Sequence, residues 1–266
     1  MFPTSTSKML SSVVLGSLAL GSVSAILGGN IVELDVARFM TNFRHEKDGN
    51  ALCGGVLIAP SCVLTTRSCM EQNPMYAAVG TRFSNGSTDI EAVKIKSNDT
   101  HPDYNQFDRS YDFAIVMLDG RTRPRLAQLP LPSEASRTIS AGTITTTFGW
   151  GSTDPTKYDA IAEELHSVEL LVWDTEACRK ALGFDFIDDK FICAGGEEGK
   201  GPMLVDMGGP LVIKENGKFE VVGMLSYALE AFQTNEETEN HNKGLLNNIN
   251  GQQDNLVIKM LRLAEI

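Results

Sequence analysis

The 266-residue sequence predicts an all-β fold, and three observations predict it. From residue 51 onward the apolar segments are short and rich in Val, Ile, Leu and Thr. Clusters of Gly, Pro, Asn and Asp separate them, the pattern of a sandwich or barrel rather than of βαβ units. A Pro-rich connector, "RTRPRLAQLPLPSEAS" at 121–136, divides these segments into two sets and marks a crossing between subdomains. With 42% apolar and 21% charged residues, the chain is long enough for one large core or for two small barrels sharing one.

The chain opens on "MFPTSTSKMLSSVVLGSLALGSVSA", residues 1–25. A single positive charge at Lys8, an apolar run, and small residues at Val23 and Ala25 before a cut read as a secretory signal peptide. The uncharged run from Met9 to Leu27 is just long enough to span a bilayer, but Ser and Gly dilute it and no basic anchor follows. Cleavage is therefore expected, with the mature chain extracellular and not membrane-bound. "GGVLIAP", "CVLTT", "YAAVG", "AVKIKS" and "FAIVML" then read as the first set of strands. "GTITTTFGW", "HSVELLVW", "PLVI" and "FEVVGMLSY" read as the second. In the closing "QQDNLVIKMLRLAEI", Leu256, Val257, Met260, Leu261 and Ala264 fall at helical spacing, with Asp254 placed to cap the start. The spacing predicts a helix over about 254–265 that docks on the β structure.

A formal charge of −11 argues against partners that need a positive surface, namely nucleic acid and anionic membranes, and suits a cationic partner better. The acidic cluster "NEETEN" at 235–240 reads as a solvated loop. The five cysteines are Cys53, Cys62, Cys69, Cys178 and Cys193, an odd number that leaves at least one thiol without an intramolecular partner. Secretion makes disulfides permissible, and the lack of any C-x-x-C pair argues against a zinc site. No cofactor is expected. Two sequons, Asn85-Gly86-Ser87 and Asn98-Asp99-Thr100, lie in polar, turn-like sequence and are candidates for glycosylation.

Read in order, "ILGG" at 26, "CGGVLIAPSCVLTTRSC" at 53, "YDFAIVML" at 111, "FGWGS" at 148 and "VDMGGPLV" at 205 resemble the chymotrypsin-like serine protease family. The blocks span essentially all of the chain after residue 25. The resemblance implies two six-stranded antiparallel β-barrels, at about 26–120 and 137–250, with a cleft between them and a C-terminal helix. It also implies disulfides Cys53–Cys69 and Cys178–Cys193, leaving Cys62 as the odd thiol, a small buried hydrophobe.

The family's catalytic template pairs a Ser nucleophile with a His base that a buried Asp orients. The resemblance places Asp112 at the Asp position, but Ser68 where the His belongs and Met207 where the nucleophile belongs. A thioether has no proton to lose, and a serine hydroxyl cannot act as a general base near neutrality. Of the four histidines, His45, His101, His166 and His241, none falls in a motif adjoining Met207. Val205 stands where the family has the Gly whose N–H serves the oxyanion hole, and a β-branched residue resists the backbone conformation that Gly tolerates. Met203 stands where a pocket-flanking disulfide would begin. Asp206 remains, and the resemblance implies that it pairs with the α-amino group of Ile26 once the chain is cut after Ala25.

The resemblance thus implies a secreted, non-catalytic homologue that works by binding a protein. The signal peptide abutting "ILGG", the paired losses at Ser68 and Met207, and "TTFGWGST" look most like the glucanase inhibitor proteins of oomycetes. Their partners are host endo-β-1,3-glucanases of the plant apoplast, and their role is counter-defence. The alternatives are a regulatory pseudoprotease of a proteolytic cascade, which would carry a Cys-rich module before "ILGG", and a residual hydrolase using Ser68.

Overall fold

In the computed structural model, the described residues are 26–33, 35–85, 92–122, 139–152, 154, 156–157, 159–197, 199–228 and 257–262. The connector at 121–136 and the cluster at 235–240 lie largely or wholly outside them.

The first unit is a closed antiparallel barrel. It is built from β2 (Met40–Arg44), β3 (Cys53–Ala59), β4 (Cys62–Thr65), β5 (Tyr76–Val79), β6 (Ala92–Thr100) and β7 (Ala114–Leu118), ordered β2-β3-β4-β7-β6-β5. Closure by the β2–β5 pairing gives every strand two neighbours and leaves no edge. β7 shows the expected alternation, burying Ala114, Val116 and Leu118 and half-burying the residues between them. Phe43, Leu57, Val63, Val79 and Val116 fill the interior. Two polar members of β2 are satisfied, Arg44 Nε donating to Asn42 Oδ1 at 2.7 Å and Asn42 Nδ2 to the Phe83 carbonyl at 3.1 Å, while the buried Thr41 hydroxyl has no hydrogen-bond partner among the described residues.

The second unit is a seven-stranded antiparallel sheet. To β1 (Asn30–Ile31) it adds β8 (Ile144–Gly149), β9 (His166–Leu171), β10 (Phe191–Gly195), β11 (Pro210–Glu215), β12 (Lys218–Ala228) and β13 (Val257–Arg262), in the order β1-β9-β8-β11-β12-β13-β10. This corrects the expected six-stranded second barrel. A bridge between Val172 and Ala194, with Trp173 N donating to Cys193 O at 2.8 Å, brings the end of β9 beside β10, so the sheet curls toward closure. β1 lies within the range expected for the first barrel but pairs with β9 of the second.

The C-terminal helix is also corrected. Val257–Arg262 is a strand laddered on one side to β12 and on the other to β10, while the expected cap Asp254 and residues 263–265 lie outside the described residues. A six-residue apolar run does not reveal its period, and Val257–Ile258 is β-branched. The backbone groups of β10 and β12 facing each other need ladder partners, which a strand supplies and a helix does not.

The longer of the two α-helices among the described residues, α2 (Thr175–Leu182), begins at Asp174, whose side chain accepts from Ala177 N at 2.9 Å, and ends at Gly183 in the left-handed conformation (φ 67°). A disulfide ties Cys178 of α2 to Cys193 of β10, and another ties Cys53 of β3 to Cys69 in α1 (Arg67–Met70). Cys62 is free and half-buried at the start of β4 rather than enclosed, and burial raises its thiol pKa.

One core joins the two units. Phe39, Met40, Val56 and Leu64 pack with Phe148, Trp150, Val212 and Met224 in a single buried cluster. Phe39, Phe148 and Phe219 meet edge to face, with ring centroids 5.5–5.7 Å apart, a geometry that favours one relative orientation of the units. Trp150 Nε1 donates to Arg82 O at 3.0 Å, and Arg82 Nε to Glu164 Oε2 at the same distance.

Candidate functional site

The site forms where the first barrel meets the loop before β11. Thr66 caps α1 by accepting from Cys69 N, which turns the chain after β4 and points Ser68 inward. Ser68 is buried, and both its N–H and its hydroxyl donate to Asp112, to Oδ1 at 2.7 Å and Oδ2 at 2.8 Å. Ser226, in β12 at the register shift between Leu225 and Tyr227, donates its hydroxyl to Asp112 Oδ2 at 2.7 Å. Asp112 has no exposed surface. Burial raises its pKa, opposed by the hydrogen bonds from Ser226 and Ser68 and by the Arg109 charge. Two serine hydroxyls thus meet the carboxylate, and among the described residues no histidine bonds it. His45 is exposed, His101 stacks on Tyr111, and His166 lies on β9 with Nδ1 against Glu164 O; His241 is outside the described residues.

Met207 follows a 3₁₀ turn at Leu204–Asp206. Its carbonyl accepts from Gly54 N of β3 at 2.7 Å, and its own N–H turns back to Leu204 O at 3.2 Å. That N–H corresponds to one of the two donors an oxyanion hole needs, and here it is spent inside the turn. Val205 is buried within the same turn and is not among the residues with positive φ. Gly208 has φ +78°, and a Cβ there would lie 2.4 Å from Gly54 O and 3.4 Å from Cys69 Cβ. The Met207–Gly208 segment is thereby pressed against the barrel beside the Ser68–Cys69 turn. Ser68 and Asp112 are directly joined, and Met207 reaches the barrel through its backbone.

Asp206 is fully buried beneath this segment. Gly151 N donates to Oδ1 at 2.6 Å and Met203 N to Oδ2 at 2.7 Å. A Cβ on Gly149 would lie 1.9 Å from Oδ1 and one on Gly151 2.3 Å from Oδ2, so these glycines make the carboxylate's room. The expected Ile26–Asp206 ion pair is absent in the uncut chain. Ile26 N is there a neutral peptide nitrogen; it donates to Gly151 O at 3.2 Å, and backbone N–H groups satisfy Asp206. Ile26 is buried at φ +59°, a left-handed conformation that a β-branched residue adopts only under strain.

Of the sequon residues, Asn85 is half-buried in a bend, and Asn98 lies exposed inside β6 rather than in a turn. Among the described residues no three His, Cys, Asp or Glu side chains form a metal site, and no helix is long and apolar enough to cross a membrane. Ser226 and Arg109 were not singled out from the sequence. A lone Ser inside the apolar run "VVGMLSY" is the signal by which the first could have been found.

A closed six-stranded barrel sharing its core with a second antiparallel sheet, with a buried Asp cluster at their junction, defines a protein of the trypsin fold. The trypsin family model matches residues 26–242, and the chain belongs to that family. It is similar to glucanase inhibitor protein 3 of Phytophthora infestans, with 37% identity across 84% of this chain and 90% of the relative. Glucanase inhibitor protein 1 of the same organism is 35% identical across 79% and 82%. Human granzyme M is 30% identical across 75% and 79%.

Burial pushes the Asp206 carboxyl from its ordinary 3.8 to about 6 in the uncut chain. Between these values the unfolded chain releases a proton that the folded chain keeps. This group's contribution to stability is therefore complete below pH 3.8 and is lost as pH rises through 6, by about 3 kcal/mol in all. Urea unfolding of the uncut chain across this range is expected to show that decline. Asp206→Asn, less stable overall, is expected to lack it. An equal decline in both proteins would reject the assignment.

Proposed function

We propose that this protein is a secreted, non-catalytic member of the trypsin family that binds and inhibits a host endo-β-1,3-glucanase. The observation carrying this reading is the state of Asp112: serine hydroxyls occupy the carboxylate where a histidine base would bond, and the sequence has a thioether, Met207, in place of a nucleophile. Similarity to proteins named glucanase inhibitors supports the target. The net charge of −11 favours rapid encounter with a basic enzyme, an effect on association rate more than on affinity.

The decisive experiment mixes the purified chain with a basic plant endo-β-1,3-glucanase and follows hydrolysis of a soluble β-1,3-glucan. Inhibition with saturable binding is expected, with an association rate that falls as salt rises. Absence of both inhibition and binding at micromolar concentration would reject the target.

Peptide-ester turnover is expected to be absent from the chain. Installing Ser68→His with Met207→Ser is expected to restore little, because the Met207 N–H remains committed to Leu204 O and Val205 keeps the turn closed. Strong turnover from that pair would show the turn to be compatible with an oxyanion hole.

The same reading places the mature N-terminus at Ile26. Cutting after Ala25 abolishes the φ constraint that strains Ile26 and leaves an ammonium group beside Gly151, within the neighbourhood of Asp206. A positive charge there lowers the Asp206 pKa. Terminal sequencing of the secreted protein is expected to begin at Ile26. A folded, inhibitory chain with a different start would reject this pairing.

A further inference from the structure

The segment between β6 and Asp112, residues 101–111, is a loop whose shape is fixed by its own atoms. Asn105 N donates to Ser110 O at 3.1 Å, Phe107 N to Asn105 Oδ1 at 3.0 Å, and Ser110 N and Oγ to Asp108 Oδ1 at 2.8 and 2.7 Å. His101 stacks on Tyr111 with centroids 4.8 Å apart. Arg109 and Tyr111 both sit at φ +54°, left-handed conformations that side chains resist, so surrounding contacts must impose them. Arg109 supplies one such contact to the second unit: its Nη1 donates at 2.9 Å to the carbonyl of Ser226, whose hydroxyl bonds Asp112. The loop is thereby pinned to the second unit at the degenerate site.

On this support Phe107 is 88% exposed, more than any other large apolar side chain among the described residues. Three residues earlier, Tyr104 lies under the Arg67 guanidinium at 4.8 Å, and Arg67 in turn pairs with Glu71. Single exposed apolar residues are ordinary on protein surfaces. What separates Phe107 is its immobilised backbone and its neighbours. Phe, Tyr and Arg on a preorganised loop are the composition of an interface anchor, because little ordering remains to oppose association. Asp103 and Glu71 are exposed around this group, on a chain of net charge −11, which fits a partner with a cationic rim.

We propose that the 101–111 loop is the partner-docking surface, with Phe107 as an anchor inserted into an apolar pocket on a cationic protein. This rests on the partner reading above, the probe being the same basic plant endo-β-1,3-glucanase. Phe107→Ala is expected to weaken binding by roughly 30-fold with an unchanged melting temperature. Phe107→Leu, which keeps apolar bulk, is expected to retain most of the affinity. Ile144→Ser removes another exposed apolar side chain, 62% accessible and at the far end of β8 from Gly149, and is expected to leave binding unchanged. If the unaltered protein binds and Phe107→Ala binds equally well, the docking surface is rejected while the glucanase reading stands. Equal losses from Phe107→Ala and Ile144→Ser would also reject it. If the unaltered protein does not bind, both readings fall.

Discussion

A carboxylate with no accessible surface organises the junction of this molecule. Isolated, the Asp206 charge would be too costly to bury, and backbone supplies its partners: N–H groups of Gly151, 55 residues away, and Met203 converge on its oxygens. That convergence excludes side chains at Gly149 and Gly151 and closes the 3₁₀ turn of Leu204–Asp206. The turn in turn sets Met207, whose carbonyl takes the Gly54 N–H, so the second sheet is stitched to the barrel through backbone atoms. The shared aromatic core of Phe39, Phe148 and Phe219 supplies bulk adhesion; the Asp206 network supplies the register of the loops above it.

This arrangement accounts for a frame that keeps its backbone contacts with Ser68 and Met207 at its centre. The contacts that hold the Asp206 turn are made by backbone, so the side chain at Met207 can change without disturbing them. At Asp112 the substitution is compensated chemically. A serine at position 68 donates both its N–H and its hydroxyl, Ser226 adds another hydroxyl, and the Arg109 charge opposes the cost of burial. A buried carboxylate needs donors, and a histidine is only one way of supplying them. The scaffold at Asp112 is therefore held without a histidine.

Those loops lie at the boundary of the two units, where backbone strain at Arg109 and Tyr111 is sustained by contacts to both. A rigid loop on a shared core is well suited to recognition, since its conformation is settled before a partner arrives. The acidic surface adds long-range attraction for cationic partners without adding to the fold.

The all-β class and most strands were legible in the residues, because short β-rich segments and turn punctuation are local signals, and Ser68 and Asp112, both named from the sequence, are hydrogen-bonded to each other. The α2 helix was legible too, in Asp174 and Gly183, although it escaped the reading. Tertiary structure decided the rest. Val257–Arg262 became a strand because β10 and β12 offered it ladder partners on both sides, a demand invisible in its own apolar spacing. Ser226 reached Asp112 from 114 residues away, and Arg109 bonds the Ser226 carbonyl across a similar separation, which only the packed junction brings together. In the uncut chain Asp206 is met by the N–H groups of Gly151 and Met203, because burial requires partners and Ile26 N is there a peptide nitrogen bonded to Gly151 O. Local pattern specifies which conformations a segment prefers; which groups must satisfy one another is settled only when burial removes water as the alternative partner.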